Sequence, residues 1–202
     1  RGQNFLYHVA AEGQQILWVG TKRQIKGVIH DAGQRTGMPV VTERWIGGTL
    51  TNFSVIRSRL RRLEELETME EDGSMEIHSK KMVSTLRRER RKIERNLGGI
   101  REMSTIPGAM VVVDPGREAN AVREARRLGV PVIGVLDSNS DPDGINYPIP
   151  GNDDAGRAIT LYCDLVARAA IDGIERGQAS SGVDVGASVT PPAEGLPEGK
   201  PG

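Results

Sequence analysis

The sequence predicts a three-layer α/β domain: a parallel sheet with helices on both faces, and an antiparallel α-helical hairpin inserted between its strands. Three observations carry this prediction. Short apolar runs bounded by turn residues alternate with helical stretches, the signature of successive βαβ units. The alternation stops between residues 55 and 97, where two helical stripes follow one another. The apolar content is aliphatic, with 37% hydrophobic but only 3% aromatic residues, so the core is to be built on Val, Ile, Leu and Ala.

Taken in order, residues 4–12 read as a helix and residues 15–20 (Gln-Ile-Leu-Trp-Val-Gly) as a buried strand closed by glycine. Residues 22–35 carry Ile25, Val28, Ile29 and Ala32 at helical spacing, and Gly37 ends that helix. Residues 39–42 form the second expected strand. Residues 109–113 and 130–136 are two more apolar runs, each introduced by turn residues. Between them residues 117–128 place Ala121, Val122, Ala125 and Leu128 on one helical face. Within 55–97, Ile56, Leu60, Leu63 and Leu66 form one stripe and Val83, Leu86, Ile93 and Leu97 another, with Glu70, Glu71, Asp72, Gly73 and Ser74 as the turn. The expected organisation is an α/β domain from 1–54 and 98–177, the hairpin from 55–97, and a disordered Gly/Ser/Pro/Ala-rich tail from 178–202.

Composition limits the function. The longest apolar runs fall far short of the roughly 20 residues that span a bilayer. The single cysteine, Cys163, leaves no internal disulfide, fits a cytosol-like reducing compartment, and reads as a small core residue. Net charge is zero, yet it is unevenly spread: residues 1–97 hold 18 Lys+Arg against 12 Asp+Glu, and residues 98–202 hold 9 against 15. Such a split points to one face for a polyanion. On the hairpin, Arg57, Arg59, Arg61 and Arg62 open the first helix, while Arg87, Arg88, Arg90, Arg91, Lys92 and Arg95 lie in the second half of the other. Both clusters are expected to meet at the hairpin base and form a phosphate-binding surface, the alternative being a solvated coiled-coil face.

Three loops hold residues that could carry chemistry. Thr21, Lys22 and Arg23 sit where a strand meets a helix, a place that favours anions; RNA phosphate contact, a nucleotide and ordinary capping all use it. Neither glycine-rich nucleotide fingerprint is present. Arg44, Trp45, Thr49, Thr51 and Asn52 flank Gly47 and Gly48. They suit an RNA surface, with guanidinium, hydroxyls and backbone amides against phosphate and sugar; a tight loop plugged by Trp45 uses the same residues. Asp137, Asp141, Asp143, Asp153 and Asp154 could serve a nucleotide- or metal-dependent Rossmann-like enzyme through the 137–143 loop. The same residues are also turn and cap formers. No triad, zinc spacing or paired catalytic carboxylates emerge, so the expectation is no enzyme, no cofactor and no metal.

Several motifs resemble one family. These are Ile16 to Gln24 (ILWVGTKRQ), Arg44 to Phe53 (RWIGGTLTNF), Asn96 to Ile100 (NLGGI), Val112 to Pro115 (VVDP), and Asp137 to Asp143 continuing through Gly144 to Ala155 (GINYPIPGNDDA). In this order they are similar to the bacterial-type small-subunit ribosomal protein family S-two, over about residues 4–173. The resemblance implies a flavodoxin-like sheet with the inserted hairpin and a place in the small subunit. It also implies small-subunit rRNA and neighbouring ribosomal proteins as partners, including the mRNA-binding protein S-one. The implied location is cytoplasmic, an organelle ribosome being equally compatible with the motifs. Members of that family begin with a further segment holding a helix and a strand, so this sequence is expected to lack one strand of the sheet.

Overall fold

The computed structural model describes residues 1–182. Its elements follow in the order α1 (Gly2–Ala11), β1 (Ile16–Val19), α2 (Lys26–Thr36), β2 (Val40–Val41), α3 (Phe53–Glu71), a short 3-10 turn (Ser74–Ile77), α4 (Lys80–Leu97), a second 3-10 turn (Gly98–Ile100), β3 (Ala109–Val113), α5 (Ala119–Leu128), β4 (Val132–Leu136), β5 (Tyr147–Pro150) and α6 (Gly156–Ser180). The five strands form one sheet in the order β2-β1-β3-β4-β5, and every neighbouring pair is parallel. This is the expected three-layer, flavodoxin-like α/β architecture.

The central strands are buried on both faces, and their alternating side chains feed two separate cores. Ile16 and Trp18 of β1, with Ala109, Val111 and Val113 of β3, pack under α1, α2 and α6. Leu17 and Val19, with Met110 and Val112, pack on the other face with α3, α4 and α5. On the first face α6 runs tightly along α1. A β-carbon on Gly173 would stand 2.3 Å from the Tyr7 carbonyl oxygen, and one on Gly177 would stand 2.5 Å from that of Ala11. Neither glycine has room for a side chain.

On the second face, the stripes Ile56, Leu60, Leu63, Leu66 and Val83, Leu86, Ile93, Leu97 are buried together with Met75 from the intervening turn. Arg62, midway along α3, pairs with Glu89, midway along α4, while Arg87 reaches Glu70 at the end of α3 and Glu76 in the connecting turn, so α3 and α4 run antiparallel. Their apolar stripes do not close only on each other. They belong to one cluster with Val41, Leu50, Ile100 and the sheet.

Three expectations are corrected. Strand β5 was not foreseen, because Pro148 and Pro150 argue against a central strand; at the sheet edge the missing N–H groups cost no ladder bond, and its residues alternate half-buried and exposed. Helix α2 begins at Lys26 rather than 22, since 22–25 form a turn in which the Ile25 and Lys26 amides donate to the Lys22 carbonyl at 3.0 and 3.1 Å. Residues 178–180, expected in the tail, are the last residues of α6; residues 183–202 lie outside the described residues. Among the described residues no helix is long and apolar enough to cross a membrane.

Candidate nucleic-acid interface

Parallel α/β sheets present their loops for binding at the carboxyl ends of the strands, above all where the strand order reverses. Here the order reverses between β1 and β3, and the loops after them carry Thr21, Lys22, Asp114 and Glu118. This crevice is filled by the protein's own groups. The Glu118 carboxylate, 4% exposed, accepts the Thr21 amide at 3.1 Å and the Thr21 hydroxyl on the same oxygen. An internal carboxylate thus stands where a nucleotide phosphate would sit. Lys22, with its side chain 17% exposed, pairs with Asp114 at 2.8 Å, Asp153 at 3.1 Å and Asp154 at 2.8 Å. Burial pulls its ammonium downward, but the hydrogen bonds to the three carboxylates outweigh burial and raise its pKa above the ordinary lysine value. Burial is likewise the main cause that raises Asp153, opposed by the bond to Lys22. Asp114 is the one non-glycine residue with positive φ, at 62°, among the described residues, and this aims its carboxylate at both Lys22 and the Arg117 amide.

The other acidic residues serve turns. Asp137 accepts its neighbour's amide from Ser138 at 2.6 Å, Asp141 that of Asp143 at 2.9 Å, and Asn152 those of Asp154 and Ala155. Carboxylate oxygens of Asp137, Asp153 and Asp154 lie within 4.8 Å of one another, and Lys22 supplies the counter-charge. The enzyme reading of the 137–143 loop therefore finds its crevice closed and its carboxylates engaged.

The 44–52 loop is organised by a residue the sequence did not single out. Glu124 of α5 accepts the Trp45 indole N–H at 3.1 Å and the backbone amides of Gly48, Leu50 and Thr51 at 2.7, 3.0 and 3.1 Å. It also accepts the Thr51 hydroxyl at 3.2 Å. Burial acts to raise the carboxyl pKa, and these donors together hold it below the ordinary glutamate value. Gly48, with φ +88°, makes the bend that turns successive amides towards one carboxylate. Trp45 is 8% exposed and Thr49 1%, with the Thr49 hydroxyl donating to the Ile46 carbonyl. Both were expected on the binding surface and instead hold the loop from inside. Thr21 and Lys22 are withdrawn in the same way. Arg23, Arg44, Thr51 and Asn52 remain exposed. A signal for Glu124 did exist: it falls three residues after Ala121 and four before Leu128, on the edge of an otherwise apolar helical stripe.

The helical pair divides its cations. Arg57 donates to the Arg101 and Met103 carbonyls at 3.2 and 3.4 Å. Arg62 pairs with Glu65 and Glu89, Arg87 with Glu70 and Glu76, and Arg90 with Glu70. Arg87 therefore lies towards the Ser74–Ile77 turn and Arg57 at the sheet end, while the Arg62–Glu89 pair sets the first half of α3 beside the second half of α4. Arg59, Arg61, Arg88, Arg91 and Lys92 are exposed, and none of them forms an ion pair among the described residues. Lys81, Arg88, Lys92 and Arg95 fall within about 40° of one line along α4, with no carboxylate in the row.

The family model described as "Ribosomal protein S2" matches residues 1–173. The chain belongs to the ribosomal protein S2 family. Relatives called "Small ribosomal subunit protein uS2" include that of Azorhizobium caulinodans, 54% identical over 187 residues, and that of Rhodopseudomonas palustris strain HaA2, 50% identical; each alignment covers 93% of this chain and 56% of the relative. The protein of Chelativorans sp. is 53% identical over 182 residues, 90% of this chain and 68% of the relative. The chain thus spans little more than half the length of the first two S2 relatives. The family description and the relatives' names are those of ribosomal proteins rather than of enzymes.

Proposed function

We propose that this chain is a structural constituent of the small ribosomal subunit and binds small-subunit rRNA, in the cytoplasm or an organelle with ribosomes of bacterial type. The observation that carries the reading is the exposed row Lys81, Arg88, Lys92 and Arg95 on α4, held by a chain whose family is ribosomal. Four cations without ion-pair partners among the described residues, spread over about 21 Å of helix, match a polyanion whose bound counterions are released on contact. Residues 55–97 act in this reading as an arm that carries the row, while 1–54 and 98–177 form the body. Arg59 and Arg61, exposed near the start of α3, and Arg91 extend the same surface. Arg57, Arg62, Arg87 and Arg90 are held by internal acceptors and shape the arm. Neighbouring ribosomal proteins, S-one among them, are met on other faces of the body.

The test is sedimentation of a cell extract through a sucrose gradient, with the full-length protein followed by immunodetection. Cosedimentation with small subunits, released by high salt, is the expected result; a protein confined to the soluble top fractions at low salt contradicts the reading.

A further inference from the structure

Residues 117–128 carry four arginines, Arg117, Arg123, Arg126 and Arg127, and two glutamates, Glu118 and Glu124. In sequence they lie in the acidic half of the chain. The fold sorts these charges by direction. Glu118 turns inward onto Thr21, and Glu124 is spent on the 45–51 loop. Arg123 and Arg127 are exposed and have no carboxylate partner among the described residues, while Arg117, also exposed, donates its Nε–H to the Thr21 hydroxyl at 3.1 Å. Arg126 makes only an open pair with Asp143, at 64% and 72% exposure, of a kind worth little. A segment with four arginines against two glutamates therefore shows the solvent almost pure positive charge.

We infer that the outer face of α5 is a second RNA-phosphate surface, separate from the α4 row. Asn120, Arg123 and Arg127 stand at spacings of three, four and seven residues, one line along the helix, and Asn120 Oδ1 orients the Arg123 guanidinium at 3.1 Å. The bonds to Glu124 bring the 48–51 backbone alongside this line, next to the exposed Asn52 side chain. Planar guanidiniums beside side-chain amides suit phosphate and sugar contacts. Of the large apolar side chains on α5 only Leu128, 43% exposed at its end, reaches the solvent, too little for the apolar centre that a protein interface of ordinary strength needs.

This inference rests on the proposed rRNA binding, and its test separates the two. Full-length protein is titrated with protein-free bacterial small-subunit rRNA over a range of salt concentrations, for wild type, Arg123→Gln/Arg127→Gln, and Arg88→Gln/Lys92→Gln/Arg95→Gln. Thermal melts check that each variant is folded; the single changes Arg123→Gln and Arg127→Gln replace the α5 pair if it is not, each then expected to flatten the salt slope by roughly 0.7 to 0.9. The α5 pair is expected to weaken binding on the order of tenfold to fiftyfold at 0.1 M salt and to flatten the log–log salt slope by roughly 1.5 to 2. An unchanged slope with the α5 pair, while the α4 triple flattens it, overturns this inference and leaves rRNA binding standing. Unchanged binding in both overturns both. Competition of an acidic poly-glutamate peptide for wild type but not for the α5 pair, with rRNA binding unaltered, assigns the face to an acidic protein partner and also overturns it.

Discussion

Glu124 reaches from α5 to the indole N–H of Trp45, 79 positions away in the chain, at 3.1 Å. The same carboxylate gathers three backbone amides of the loop. This bond fixes where the chain leaves the sheet and enters α3, and hence the direction in which the α3/α4 pair departs.

Replacing Glu124 by Ala leaves those amides and the indole without their acceptor. We expect a loss of roughly 2–3 kcal/mol, the scale of hydrogen bonds to a charged group, measured by urea denaturation. Glu124→Gln is expected to lose about as much, because its amide presents donors to donors. The sign with pH follows from the lowered carboxyl pKa. Its contribution is present above the ordinary glutamate range and is lost as pH falls through the lower folded value. The wild-type advantage over Glu124→Ala should therefore shrink on acidification, and a constant difference from pH 7 to pH 3 would contradict it.

Lys22→Met removes the cation shared by Asp114, Asp153 and Asp154. Breaking a buried ion pair from one side leaves uncompensated charge and typically costs about 3–5 kcal/mol; the exposure of Asp154, 69%, argues for the lower end. Asp153→Asn in the same protein should restore part of the loss. Asp153 already has a raised pKa that the Lys22 bond holds down, so without Lys22 it rises further. A raised carboxyl pKa makes the charged form the unfavourable one, so the deficit of Lys22→Met should narrow as pH falls through the carboxylate range. A thermal melt series across pH 4–8 reads this directly.

The α4 row is predicted to separate binding from stability. Arg88, Lys92 and Arg95 have no ion-pair partner among the described residues, and exposed substitutions of this kind alter stability by about 0.5 kcal/mol or less each. Changing all three to Gln should leave the melting temperature nearly constant while flattening the salt dependence of rRNA binding by as much as about 2.7. A large drop in melting temperature would show that the row has an internal role.

Cys163 lies on the buried face of α6, and burial pushes its thiol up to about 12. Because only the thiolate reacts, the native protein at pH 8 should resist a thiol-specific reagent, and labelling should follow the unfolding transition in urea. Fast stoichiometric labelling without denaturant would place Cys163 at the surface.

Much of the fold was legible because it depends on local periodicity. Leu17 and Val19 against Ile16 and Trp18, or Ala121, Val122 and Ala125 at helical spacing, declare strand and helix without reference to distant residues. Strand β5 was hidden because its prolines are tolerable only at an edge, and edge position is a property of the whole sheet. The candidate site was less legible for a related reason. Arginines such as Arg88 and Arg62 look alike in sequence; among the described residues one has no ion-pair partner and the other is held by Glu65 and Glu89.

By itself the sequence determined the three-layer α/β class, the apolar stripes of α3 and α4, the excess of positive charge in its first half, and, through its motifs, membership of the S2 family. Only the tertiary structure decided which polar groups remain available to a partner. It turned Trp45 and Thr49 inward onto a loop anchored by Glu124, closed the crevice over Thr21 and Lys22, and left arginines exposed on α5. Hydrophobic periodicity is written within a few turns of chain, whereas a charge is cancelled or freed by whatever the fold sets across from it. For Lys22 that is Asp153, 131 positions away.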